Sequence, residues 1–130
     1  MSREIVIHSL EQARAALDAA ASMNAPLVLA SAPGAALQAG PLWFKSVIDQ
    51  ASAAQPGVAL TAILDCGEAP GAVMAGLRAG LTHFRFSGRA ELRERLAGMG
   101  AKFAAPSAEA LDLREFREPE TAIRAFLARR

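Results

Sequence analysis

Short apolar runs alternate along this chain with longer segments of helical period, and this alternation limits the fold more than any other feature. Apolar runs alternating with helical patterns are typical of βαβ units built around a parallel sheet. We therefore expect an α/β fold with a mainly parallel open sheet of about five or six strands and helices on both faces. The expected strands span residues 5–7, 27–30, 60–66, 81–87, 102–105 and 110–114.

Local signals mark where the helices begin and end. Ser9 and Gln12 have the spacing of a capping box before the first helix. Asn24 is placed to stop that helix, and Pro41 suits the first turn of the next one. A third helix is expected from about Pro70. These signals support four consecutive strand-helix units before the carboxyl-terminal segment.

Length and composition restrict the chain further. With 130 residues it has room for one domain spanning residues 1–130, about half of the roughly 250 residues typical of a closed (β/α)8 barrel. A net charge of +1 gives no electrostatic reason to expect a nucleic-acid or membrane partner. The single cysteine cannot form an internal disulfide, and no apolar run is long enough to span a bilayer. A cytoplasmic location is the simplest expectation.

The third expected strand ends in chemically useful groups, Asp65 and Cys66. Ligands and catalytic groups collect at the carboxyl ends of parallel strands, so both residues are candidate catalytic groups. The loop from Ser31 to Gly34 reaches the same edge of the sheet and offers a hydroxyl and backbone amides. Such groups can bind a phosphate or a carboxylate.

His8 follows the first strand and provides a second reason to consider Cys66. In a flavodoxin-like strand order of 2-1-3 the two residues would be neighbours, and an imidazolium would lower the thiol pKa. A part-barrel order of 1-2-3 would leave strand two between them, with Cys66 packed as a small hydrophobe. His83 begins the fourth strand, about 15 Å from that edge, so the three residues predict no metal site. No cofactor is expected.

The fourth expected strand carries a charge in its middle. Alternation places Phe84 and Phe86 on one face, and Arg85 and Ser87 on the other. A buried arginine needs a partner, so Arg85 indicates either an edge strand or a side chain whose head reaches water. The alternatives are an anion-binding arginine and a surface that docks a partner.

Four stretches carry a resemblance to a known family. They read Ser9-Leu-Glu, Ala25-Pro-Leu-Val-Leu-Ala-Ser-Ala-Pro-Gly-Ala-Ala36, Leu64-Asp-Cys-Gly67 and Leu77-Arg-Ala-Gly-Leu-Thr82. Residues 9 to about 100 thereby resemble the amino-terminal half of the zinc-dependent class II fructose-bisphosphate and tagatose-bisphosphate aldolases, which are TIM barrels. The order and spacing of these four stretches agree with those of the family over about three quarters of the chain.

The resemblance implies roles for the matched positions. In the family the third stretch reads Leu-Asp-His-Gly, where the carboxylate transfers a proton at the C4 hydroxyl and the histidine binds zinc. Asp65 matches the carboxylate, whereas Cys66 replaces the histidine, and Ser87 stands where the family has an aspartate. The other zinc ligands and the phosphate loops belong to the family's second half. The resemblance therefore implies a truncated barrel without a complete zinc site, in which zinc-dependent aldol cleavage is not expected.

We therefore expect a non-catalytic, aldolase-like domain. It would bind a small phosphorylated or carboxylated metabolite, or a protein partner, at the carboxyl edge of the sheet, with Ser31, Gly34, His8 and Ser87 as candidate ligand-binding residues. The alternative is a small enzyme that uses Asp65 as acid or base, with Cys66 or His8. Because a truncated barrel leaves open edges and an uncovered inner face, a part-barrel homodimer is a second arrangement to consider.

Overall fold

The computed structural model describes residues 3–105 and 109–129. Strands and helices alternate from the amino terminus, and a 3-10 turn precedes the last helix. The elements are β1 (Glu4–Ile7), α1 (Leu10–Met23), β2 (Leu27–Ser31), α2 (Ala35–Gln38), α3 (Pro41–Ala54), β3 (Leu60–Asp65), α4 (Pro70–Arg78), β4 (His83–Arg85), α5 (Ala90–Gly98), β5 (Lys102–Phe103), β6 (Ala110–Asp112), the 3-10 turn (Leu113–Glu115) and α6 (Pro119–Ala128).

The six strands form one open sheet in the order β5-β4-β3-β2-β1-β6, and every adjacent pair is parallel. The expected α/β class, the parallel pairing and the strand number are confirmed. Of the two strand orders that the sequence left open, the structure has the sequential order of a part-barrel. Only β6 departs from the sequential strand order, because it pairs beside β1 rather than beside β5.

The five longer described helices form one layer, whereas the expectation was helices on both faces. They contact one another in the row α6-α1-α3-α4-α5. The hydrophobic core combines their buried side chains with those of one strand face: Ile5, Ile7, Leu27, Leu29, Leu64 and Phe84. Ala30 and Ile63 are also buried, but they lie on the opposite face and outside that core. Right-handed crossovers between strands added in one direction place every connecting helix on the same side.

The face opposite the helices is strongly curved. Arg85 on β4 forms a two-pronged ion pair with Glu4 on β1. In a flat sheet those strands would be about 14 Å apart, three strand spacings. Arg85 is level with Asp65, whereas Glu4 is level with Thr61, so the two also differ by four residues along the strands. The side chains can meet only if the sheet curls as in a barrel.

We call the concave side of this sheet the inner face. Strand alternation and register assign to it the side chains of Glu4, Val6, Val28, Ala30, Thr61, Ile63, Asp65, His83 and Arg85. Several of these groups carry charge, in contrast to the apolar face beneath the helices.

The local signals at helix ends are confirmed. The backbone amide of Gln12 donates to Ser9 Oγ at 3.2 Å, and the Gln12 side chain accepts from the amide of His8 at 2.7 Å. Asn24 ends α1 in the left-handed region with φ of 52°, and Pro41 is the first residue of α3. β4 begins later than expected because the amide of Leu81 bonds to Gly76 O at the end of α4.

None of the described helices is both long enough and apolar enough to cross a bilayer.

Candidate functional site

Asp65 joins two loops at the carboxyl edge of the sheet. Its Oδ1 accepts hydrogen bonds from the amides of Gly34 at 3.1 Å and Gly67 at 3.0 Å. Its own amide donates to Oγ of buried Ser31 at 2.9 Å. The cap position of α4 is Ala69, which makes no side-chain capping bond. Asp65 therefore bonds the loop amides and does not cap the helix.

This network changes the interpretation of the loop after β2. The expected anion-binding groups, Ser31 and Gly34, do lie together with Asp65, but the Gly34 amide already points at the Asp65 carboxylate. The Asp65 carboxylate thus occupies the Gly34 amide that could otherwise donate to a bound ligand. No described residue donates a hydrogen bond to the second carboxylate oxygen of Asp65.

A cavity of about 170 Å³ opens beside this network, at the carboxyl ends of β1 and β2. We call it the carboxyl-edge cavity. Its walls are mainly apolar, and two of its side chains can carry charge. The lining residues are Ile7, His8, Ala32, Ala35, Gln38, Ala39, Trp43 and Arg114.

His8 in this cavity is held by a carboxylate. Its Nε2 lies 2.5 Å from Oδ1 of Asp112, which also accepts from the amide of Arg114 at 2.9 Å. Partial burial acts to raise the pKa of Asp112, but the bonds from Arg114 and His8 outweigh it and lower that pKa. The free energy that these bonds add to the folded state is therefore present above the unfolded-state pKa of Asp112. It is lost as pH falls through the lowered pKa of Asp112 in the folded state.

Arg114 is the other charged group of the cavity wall. Its side chain forms no salt bridge with any described residue. Sequence reasoning missed both Asp112 and Arg114. The short apolar run around Leu111 does indicate a strand near these residues. Only the pairing of β6 with β1 brings Asp112 and Arg114 to His8.

Arg85 lies on the inner face with its partner. Its two terminal nitrogens contact the Glu4 carboxylate at 3.0 and 2.5 Å, and one of them also donates to Ala105 O at 2.9 Å. The Arg85 side chain is 20% exposed and that of Glu4 only 4%. The hydrogen bond with Glu4 raises the pKa of Arg85 despite the opposing effect of burial. The expectation of an edge strand was wrong, because β5 pairs outside β4.

Cys66 lies away from the cavity. Its side chain is fully buried in the core beneath the helices, and its polar contact is Leu64 O at 3.8 Å. Burial, and then the charge of Asp65, raises the pKa of the thiol to about 12. Strand β2 separates β1 from β3, so His8 does not neighbour Cys66. The arrangement leaves a neutral, inert thiol and offers no support for a nucleophile.

We expect Cys66 to react with iodoacetamide at least about 100-fold more slowly in the native protein at pH 8 than in urea, because both burial and the raised pKa remove the reactive thiolate. Mass spectrometry of quenched time points measures the two rates. Equal rates would show that the thiol is accessible and would restore Cys66 as a candidate nucleophile.

Ser87 follows β4 with an exposed side chain, and its amide donates to Gly67 O at 2.8 Å. It therefore stands next to the Gly67 turn and does not line the carboxyl-edge cavity.

The zinc of the resembled aldolases does not fit the donor groups of this chain. Among the residues that the structure describes, no three histidine, cysteine or acidic side chains are placed to share a metal ion. Cys66, which the expected resemblance would match to a zinc ligand, is a buried neutral thiol facing the helices. Neither a protein-family model nor a curated protein matches the chain.

Proposed function

We propose that this chain is an aldolase-like part-barrel that binds a small anion in the carboxyl-edge cavity and has no zinc-dependent activity. The observation that carries the proposal is the position of Arg114. Arg114 lines a largely apolar cavity, and its exposed side chain has no salt bridge within the described part of the chain.

The charge balance around the cavity favours an anion. His8 is matched by Asp112 at 2.5 Å, so its charge, when protonated, is already compensated. The charge of Arg114 also acts on Asp112, but Arg114 forms no salt bridge with a described residue, and its planar guanidinium fork suits a carboxylate or a phosphate oxygen pair.

The proposed relation to aldolases rests on position rather than on a shared metal site. The strands follow one another in barrel order up to β5, and Asp65 ends β3 at the ligand-binding edge. In this proposal Asp65 shapes the loops that border the cavity, through its bonds to Gly34 and Gly67. The zinc-dependent step has no counterpart, because the donor groups do not fit zinc.

Trp43 allows a direct test, because it lines the cavity and is the single tryptophan of the sequence. We expect inorganic phosphate and acetate, titrated at low ionic strength, to change its fluorescence with a saturable dependence. Arg114→Gln should weaken the binding about tenfold, since a hydrogen bond to a charged group contributes about 1.5–3 kcal/mol.

The matched control is Arg117→Gln, which removes an exposed arginine that does not line this cavity. Its titrations should coincide with those of the wild-type protein. If no anion changes the fluorescence of Trp43, or if both variants weaken binding equally, the proposed site is wrong.

A further inference from the structure

We infer that the ligand of the carboxyl-edge cavity is a short-chain monocarboxylate and not a sugar phosphate, an inference that rests on the proposed function. Three properties of the cavity lead to this class of ligand: its volume, the number of its available cationic groups and the composition of its walls.

The volume suits a small molecule. A cavity of about 150 Å³ accommodates benzene, so the space of about 170 Å³ here holds a ligand of similar size. A hexose bisphosphate carries six carbons and two phosphate groups and is several times larger. Pockets for larger metabolites and drug-sized ligands typically measure about 300–1,000 Å³. The cavity therefore suits an acid of about four to six carbons, with its carboxylate at the mouth.

The available charges suit a single negative charge. Arg114 supplies one guanidinium fork, which can pair with the two oxygens of a carboxylate. The other basic side chain of the cavity, His8, already contacts Asp112. The amide of Gly34, which could help to hold a phosphate, donates instead to Asp65. A phosphate dianion would thus lack the several donors that it needs.

The walls suit an aliphatic stem. Beyond its two charged groups the cavity is lined by one amide side chain, Gln38, and by apolar groups: Ile7, Ala32, Ala35, Ala39 and Trp43. Each methylene buried against such walls should tighten binding by about threefold to fourfold until the cavity is full. Sugar hydroxyls in the same place would have few hydrogen-bond partners.

The experiment is a titration of Trp43 fluorescence with acetate, propanoate, butanoate, pentanoate and hexanoate, compared with inorganic phosphate and fructose 1,6-bisphosphate. We expect the dissociation constant to fall about threefold for each added methylene over at least three members of the series. Butan-1-ol, which lacks the charge, should bind at least tenfold more weakly than butanoate.

Ala39→Leu tests whether the stem enters the cavity. Ala39 lines the cavity but is exposed, so a larger side chain there can fill space without displacing the core. This variant should bind acetate like the wild-type protein and lose the gain with chain length. Ala54→Leu, an exposed position at the end of α3, is the control and should keep that gain.

The outcomes separate this inference from the proposed function. An Arg114-dependent response to phosphate and acetate, without any gain along the series, would overturn the monocarboxylate class and leave the anion site standing. Tighter binding of fructose 1,6-bisphosphate than of hexanoate would do the same. A protein that responds to none of these anions would overturn the anion site itself.

Discussion

Arg85→Ala is expected to lower the free energy of unfolding by about 3–5 kcal/mol, because it leaves the buried Glu4 carboxylate without its partner. The Glu4 side chain is only 4% exposed, and it receives two hydrogen bonds from Arg85. Loss of the guanidinium also removes its contact with Ala105 O. Urea denaturation at neutral pH, followed by far-UV circular dichroism, measures the change.

Two controls separate loss of the pair from loss of its volume. Replacing both partners, Glu4→Leu with Arg85→Met, should cost much less than Arg85→Ala alone, because no unpaired charge remains in the interior. Lys45→Ala removes a more exposed ion pair with Asp49 within α3 and should change stability by less than about 1 kcal/mol. If Arg85→Ala costs no more than Lys45→Ala, the two strands do not approach across the inner face as described.

Asp65→Ala is expected to lower the free energy of unfolding by about 2–4 kcal/mol, because two backbone amides lose a charged acceptor. Those amides belong to Gly34 and Gly67, in the loops after β2 and β3. Asp65→Asn keeps one oxygen as an acceptor and should lose about half as much. Urea denaturation gives the stabilities, and amide hydrogen exchange at Gly34 and Gly67 reports the local loosening.

Glu68→Ala is the matched control, since it removes an exposed carboxylate from the same turn. It should change stability by less than about 0.5 kcal/mol. An Asp65→Ala protein that keeps its stability and its amide protection would contradict the structural role of Asp65. If it also lost affinity for acetate, Asp65 would instead belong to the ligand site.

Much of the fold was predictable because its signals are local. The capping box at Ser9, the stop at Asn24 and the first-turn proline at Pro41 act within one helical turn. The alternation that places Phe84 in the core and Arg85 on the opposite face acts within one strand. Asp65 could be placed at the carboxyl edge for the same reason, since it ends a buried strand.

The partners of the charged groups were not predictable in this way. Arg85 meets Glu4 across 81 residues of sequence, and His8 meets Asp112 across 104. Strand order decides that His8 lies beside Asp112 rather than beside Cys66. No local pattern contains that choice, because either order buries the same apolar residues.

Short-range sterics and hydrophobic period suffice to specify the repeated strand-helix units, the ends of several helices and the residues that each strand offers to each face. The single helix layer, the curvature of the sheet and the cavity lined by His8 and Arg114 depend instead on which distant strands pair, and no local stretch of the chain encodes that pairing. The curvature of the sheet then brings Glu4 to Arg85, which is the partner that a buried charge needs.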